Sequence, residues 1–131
     1  MMQYLLDTVV VIRHFSGTGQ IGQAANEILE KFEQTTDIKL IISAISLMEI
    51  MYLAEKNRIP ISLQETLAAV RSSGKYIIAN LTPEIIEVAE TIKFSELHDR
   101  LILATAKWLD IPIISSDKLF DNVAGIKTIW K

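Results

Sequence analysis

HDRLILATAKWLDIPIISSD, the stretch from His98 to Asp117, reads as a buried helix followed by a buried strand, with an acid near each end. Leu101, Ile102, Leu103, Ala104, Ala106, Trp108 and Leu109 make its first part apolar almost all the way round, the pattern of a helix enclosed by other elements. Asp99 shares a helical stripe with Ile102, Leu103 and Ala106, so its side chain points inward with theirs. Beyond Asp110, Ile111-Pro112-Ile113-Ile114-Ser115 is a short β-branched run ending in Ser116-Asp117, the signature of a buried parallel strand that delivers an acid at its carboxyl end. An ionised carboxylate among apolar neighbours either takes up a proton or finds a cation. A purely structural role is also open to each acid: Asp99 favours the dipole of a helix start, and Asp117 caps a turn over Lys118 to Asn122.

Working outward, Gln3 to Leu6 is a strand ending at Asp7-Thr8, and Val9 to Ile12 suits either a strand or a short helix reaching Phe15. Ser16-Gly17-Thr18-Gly19 is a loop. Gln20 to Gln34 carries Ile21, Ala24, Ala25, Ile28, Leu29 and Phe32 at helical spacing, with its charges on the other side. Lys39 to Ser43 is the second strand, and Ser46 opens a helix that runs to Lys56. Ser62 to Arg71 is a helix closed by Ser72-Ser73-Gly74, Tyr76 to Ala79 a third strand, and Thr82-Pro83 the start of another helix. Its face is Ile85, Val88, Ala89 and Ile92. Lys127 to Trp130 supplies the last strand. Strands alternating with helices over short loops predict an α/β fold, a three-layer α/β/α sandwich around a mostly parallel sheet of about five strands, as a single domain over 1–131.

Half of the 131 residues are hydrophobic, which excludes disordered and fibrous classes. No cysteine is present, so thiolate metal sites and disulfides are out and an intracellular, cytoplasmic protein is expected. The start, Met1-Met2-Gln3-Tyr4, has no basic segment, and Asp7 interrupts the apolar run behind it, so neither a signal peptide nor a membrane span is expected. A net charge of −3 argues against a protein that coats nucleic acid. If Asp7, Glu49, Asp99 and Asp117 serve one metal site, the remaining acids nearly balance the 13 Lys and Arg.

Those four acids have reason to meet. In open parallel sheets, ligands sit beyond the carboxyl ends of the strands where strand order reverses. Asp7 follows the first strand, Asp117 follows the fourth, Glu49 stands in the first turn of the helix after the second, and Asp99 opens the helix leading to the fourth. Ser46-Leu47-Met48-Glu49 also has capping-box spacing, which would occupy Glu49 locally, as in Ser62-Leu63-Gln64-Glu65. Two carboxylates about 4 Å apart repel by roughly 4 kcal/mol at an effective dielectric of 20. Converging acids therefore call for a cation, and oxygen donors without Cys or His suit Mg²⁺ or Mn²⁺.

At these residues the chain resembles the PIN-domain ribonucleases, in particular the VapC-type toxins of prokaryotic toxin–antitoxin pairs. The resemblance rests on Leu6-Asp7-Thr8, on Ile42 through Ile50 (ISAISLMEI), on His98 through Ala106 (HDRLILATA), and on Ile114-Ser115-Ser116-Asp117-Lys118. It implies that Asp7, Glu49, Asp99 and Asp117 hold one or two Mg²⁺ or Mn²⁺ ions, with Thr8 and Ser116 supporting them. It further implies RNA cleavage by metal-activated water attacking phosphorus in line, a small antitoxin partner and a homodimer. Asp121 is a further candidate ligand beside the reading of a solvated turn acid, and Glu96 stands one turn before Asp99. Arg100 is expected in a salt bridge, and Arg13 is a candidate for substrate phosphate.

Two other readings compete. A PIN-like domain that keeps the fold but only binds RNA or protein would lack the acids, and all are present. Gly17-Thr18-Gly19-Gln20-Ile21-Gly22 spells the glycine pattern of a dinucleotide-binding domain, but Arg13 to Ser16 separate it from Val9 to Ile12 and no acid closes the strand ending at Ser43.

Overall fold

The computed structural model describes residues 1–131, in which the five apolar runs become one sheet. β1 (Met2–Leu6), β2 (Ile38–Ser43), β3 (Tyr76–Ala79), β4 (Ile113–Ile114) and β5 (Thr128–Ile129) lie in the order β3-β2-β1-β4-β5, and every neighbouring pair is parallel. The helices between them are α1 (Thr8–Ser16), α2 (Gln23–Gln34), α3 (Ala44–Glu55), α4 (Leu63–Ser73), α5 (Pro83–Glu90) and α6 (Leu97–Leu109), and a 3-10 turn spans Lys118–Asn122. None of these helices is long and apolar enough to cross a membrane.

Successive strand residues point to opposite faces, and this sorts the apolar side chains into two cores. Tyr4 and Leu6 of β1, Leu40 and Ile42 of β2 and Ile114 of β4 pack with Val10 and Val11 of α1, Leu29 and Phe32 of α2 and Val70 of α4. Leu5, Ile41 and Ile113 face the other way, against Ile85 and Ala89 of α5 and Ile102, Leu103 and Ala106 of α6. Each fully buried leucine or isoleucine contributes roughly 1.5–3 kcal/mol, so both layers are held by the alternation itself. Since β2 and β4 flank β1 on opposite sides, the strand order reverses between β1 and β4.

Several boundaries differ from the sequence expectation. Val9 to Ile12 is helical, because Asp7 adopts an extended backbone and its side chain accepts the Thr8 N–H, starting α1. The cap of α3 is Ser43, which accepts the Ile45 N–H at 3.0 Å, so the helix begins before Ser46 and the expected Ser46–Glu49 capping box does not form. Ser62 does cap α4, through the Glu65 N–H. Pro112 lacks an N–H, and the ladder of β4 is correspondingly short. The last turn of α6 is not enclosed: Trp108 is 51% exposed. Arg100 is not in a salt bridge. Its Nε and Nη2 donate to the carbonyls of Ala89 and Glu90, closing the C-terminal end of α5.

The glycine run follows a helix rather than a strand, which removes the dinucleotide-turn geometry. Gly17 ends α1 in the left-handed conformation, φ 70°. Gly22 starts α2 where the end of β5 crosses it, and a Cβ there would collide with the Trp130 carbonyl oxygen. α2 therefore begins at Gln23 and not at Gln20. Gly22→Ala should force that backbone apart and lower stability by about 2–3 kcal/mol, read from denaturant unfolding; an unchanged midpoint would show that the crossing is loose.

Candidate metal centre

Asp7, the residue directly after β1, is buried, with 7% of its surface exposed. One carboxylate oxygen accepts the Thr8 N–H at 2.8 Å and the other accepts the Ser115 hydroxyl at 2.8 Å. Ser115 stands at the carboxyl end of β4, and its oxygen in turn accepts the Asp117 N–H at 3.0 Å. One hydroxyl thus ties together the two strand ends that flank the switch point. The expectation assigned this supporting role to Ser116. That side chain is exposed, and its buried predecessor makes the contact.

Thr8 has the expected supporting position. Its hydroxyl lies 2.6 Å from Glu49 Oε1 and 2.8 Å from the hydroxyl of Ser46, which is fully buried. Glu49 is therefore held by a residue 41 positions away, not by its own helix start. Its second oxygen faces His98 Nδ1 at 3.5 Å. Thr8→Val keeps the shape but removes the hydroxyl, leaving Ser46 buried without its partner. The expected loss is about 1–3 kcal/mol of stability, together with a drop in any activity that needs Glu49 in place, and unfolding and rate measurements on one preparation test both.

Asp99 is the third residue of α6. Its backbone N–H is taken by Glu96, the N-cap, at 2.6 Å, while no hydrogen bond reaches its half-buried carboxyl group. Burial pushes that carboxyl up to about 7, and the charges of Asp7, Glu96, Glu49 and Asp117 push in the same direction. Asp7 is also raised, first by burial, against the lowering effect of the Ser115 and Thr8 bonds, with Glu49 and Asp117 adding to the rise. The four acids therefore feel one another across the carboxyl edge of the sheet.

Asp117 has a double character. One oxygen accepts the Leu119 N–H at 2.9 Å, so the cap over Lys118–Asn122 is real, and the same carboxylate repels Asp7 and Asp99. Asp121 is exposed in that turn and borders the same hollow as Asp117. Sequence reasoning passed over Ser46, Ser115 and His98. No local signal set Ser115 apart from Ser116, because β4 is buried on both faces and Ser115 is only the last buried position of its run.

As the side chains stand, no three acidic or histidine groups converge closely enough to enclose an ion. The donor set nevertheless fits a hard divalent cation. Asp99 has both oxygens free of protein donors, and the mutual repulsion among the acids is what a bound charge relieves.

A parallel sheet bearing carboxylates at its switch point defines a recognisable class of α/β protein. Residues 4–126 match the family model of the PIN domain, and the chain belongs to that family. The fold is also that of solved toxin–antitoxin structures. VapBC2 from Rickettsia felis, bound to a DNA fragment from its promoter, matches with a TM-score of 0.74 at 15% identity, over 99% of this chain and 100% of that one. DNA-bound VapBC from Salmonella typhimurium matches with a TM-score of 0.72 at 21% identity, over 98% of each chain. A toxin–antitoxin complex from Klebsiella pneumoniae matches with a TM-score of 0.63 at 26% identity, over 94% of each. No curated protein matches the chain in sequence.

Proposed function

We propose that the chain is a Mg²⁺- or Mn²⁺-dependent endoribonuclease, the toxin of a toxin–antitoxin pair. The observation that carries this reading is the gathering of Asp7, Glu49, Asp99 and Asp117 at the carboxyl edge of the sheet beside its switch point, with the half-buried Asp99 carboxyl free of any protein donor. Membership of the PIN family supports a nuclease, and the likeness to VapBC structures supports an antitoxin partner.

Asp7, Glu49, Asp99 and Asp117 would hold the cation, with Thr8 and Ser115 fixing the orientation of Glu49 and Asp7. A divalent ion bound there supplies Lewis acidity toward a phosphate oxygen and lowers the pKa of water. The protein's part is to hold the four carboxylates oriented toward one edge of the sheet, while a bound cation would offset the burial and mutual repulsion that otherwise favour protonation of Asp99 and Asp7. RNA enters that edge from solvent, where the enzyme would act in the cytoplasm.

Met48, Met51 and Tyr52 of α3 are exposed, so their apolar surface is not core. With Glu49, Leu53 and His98 they line a hollow of ≈ 470 Å³ beside the acids. That surface supports a protein partner next to the site, the antitoxin or a second copy in a homodimer.

Purified protein incubated with total RNA tests the reading directly. Cleavage is expected with Mg²⁺ or Mn²⁺ and should vanish with EDTA. Cleavage that survives chelation would overturn the metal mechanism, and intact RNA under every metal condition would leave a PIN-like module that binds without cutting.

A further inference from the structure

At the β5 edge of the sheet, a groove of ≈ 550 Å³ opens beside Ser116 and Asp117, with Lys118, Lys127, Lys131 and Trp130 around it. All three lysines are exposed, and none is paired with an acid: the ion contacts of the chain are those of His98 with Glu49 and Glu96. Nor do their ammonium groups donate hydrogen bonds, as those of Lys39 and Lys75 do. The carboxylate of Asp121 shares the lining, so the cations outnumber the acids there by three to two.

Trp130 is held from behind. Its carbonyl accepts the Ala25 N–H of α2 at 3.2 Å, its side chain packs on the α1–α2 core, and the close crossing at Gly22 fixes its approach. It borders this groove and also a neighbouring hollow shared with Arg13 and Ser116. A chain of net charge −3 has thus placed three free cations and a supported aromatic ring immediately beside its acids.

We propose that this groove carries the RNA strand adjoining the scissile phosphate, with Lys118, Lys127 and Lys131 against successive phosphates and Trp130 stacking on a base. The assignment rests on the nuclease reading above. A cluster of carboxylates repels a polyanion, so cations next to it are what hold the backbone within reach. Flexible exposed lysines bind backbone and not sequence, and an aromatic face accepts any base. Stacking needs a base free of its own stack, which makes the ligand single-stranded.

The test uses Asp99→Asn protein, so that RNA survives, and a short labelled single-stranded RNA followed by anisotropy across a salt series. Adding Lys118→Ala, Lys127→Ala and Lys131→Ala together should weaken binding at least about tenfold and reduce the logarithmic salt slope by about 2. Replacing Trp108 by Phe leaves Trp130 as the sole tryptophan, and its fluorescence should be quenched on the same titration. Trp130→Leu should weaken binding by about 5- to 100-fold. The triple lysine variant with Asp99 intact should keep the wild-type melting temperature and its shift with Mg²⁺, showing that the fold and the acids are untouched. Wild-type cleavage accompanied by unchanged affinity and slope in the triple variant would overturn the groove and spare the nuclease reading. RNA neither bound nor cut by the wild type would end both.

Discussion

Asp99→Asn is expected to abolish RNA hydrolysis and to make the ion-free protein more stable. A metal ligand acts through several kcal/mol of transition-state stabilisation, so the rate should fall about 10³-fold or more. The stability gain follows from the environment of the carboxyl group. It is partly buried, has no donor, and faces the charges of Asp7, Glu96, Glu49 and Asp117. A rise from 3.8 to about 7 corresponds to at most about 4 kcal/mol. Screening by solvent at a half-exposed group reduces that to about 1–2 kcal/mol. The neutral amide removes the repulsion, and Tm should rise by several degrees. Mg²⁺ should reverse the ranking, because a bound ion stabilises only the chain that keeps its ligands, by about 2.7 kcal/mol at a hundredfold excess over Kd. Melting curves of both proteins, with and without Mg²⁺, provide the comparison. A variant less stable than wild type without metal would mean that Asp99 is a structural acid.

The same carboxyl group sets a pH dependence. Its pKa is higher in the folded chain than the ordinary 3.8, so the folded state binds the proton more tightly. The associated stability is complete below about pH 4, is lost as pH rises toward 7, and changes little beyond. Wild-type protein without metal should therefore lose stability between pH 4 and 7, whereas Asp99→Asn should show a flatter profile. Added Mg²⁺ should flatten the wild-type profile as well, by favouring the ionised form. Denaturant midpoints across that range measure all three, and parallel profiles for the two proteins would refute the linkage.

The layers of the fold were legible because the signals are local. The unbroken apolar run Tyr4-Leu5-Leu6 reports a strand buried on both faces, and the stripe through Ile102, Leu103 and Ala106 reports the buried face of a helix. Helix starts were less legible, because two serines competed. Ser43 and Ser46 are both capping residues by type, and the choice fell to the backbone: Ser43 is extended at the strand end, while Ser46 is needed inside the first turn to meet Thr8. The acids could be found by their place after strands. Their partners could not, since the contact of Asp7 with Ser115 spans 108 positions and that of Thr8 with Glu49 spans 41. Serine at 115 and serine at 116 are chemically identical, and only the end of the sheet separates them: Ser115 still bonds to Ile129 of β5, whereas Ser116 lies past the buried run.

Asp7 does two jobs that a pair of substitutions can separate. It starts α1 by accepting the Thr8 N–H, and its second oxygen, tied to Ser115, joins the acids at the switch point. Asparagine caps a helix about as well as aspartate does, whereas alanine does not, losing about 1 kcal/mol. Asp7→Asn should therefore keep the helix start and lose at most about 1 kcal/mol, because its single amide oxygen caps Thr8 but cannot also accept from Ser115, whereas Asp7→Ala should be destabilised by about 1–2 kcal/mol by losing both the cap and the Ser115 acceptor. If the carboxylate matters only as a cap, the asparagine variant should cleave RNA at the wild-type rate. If it is a ligand, both variants should lose activity by about 10³-fold, and neither should gain stability from Mg²⁺. Near-wild-type cleavage by Asp7→Asn would remove Asp7 from the metal centre, and with it the carboxylate that links β1 to β4 in the proposed site.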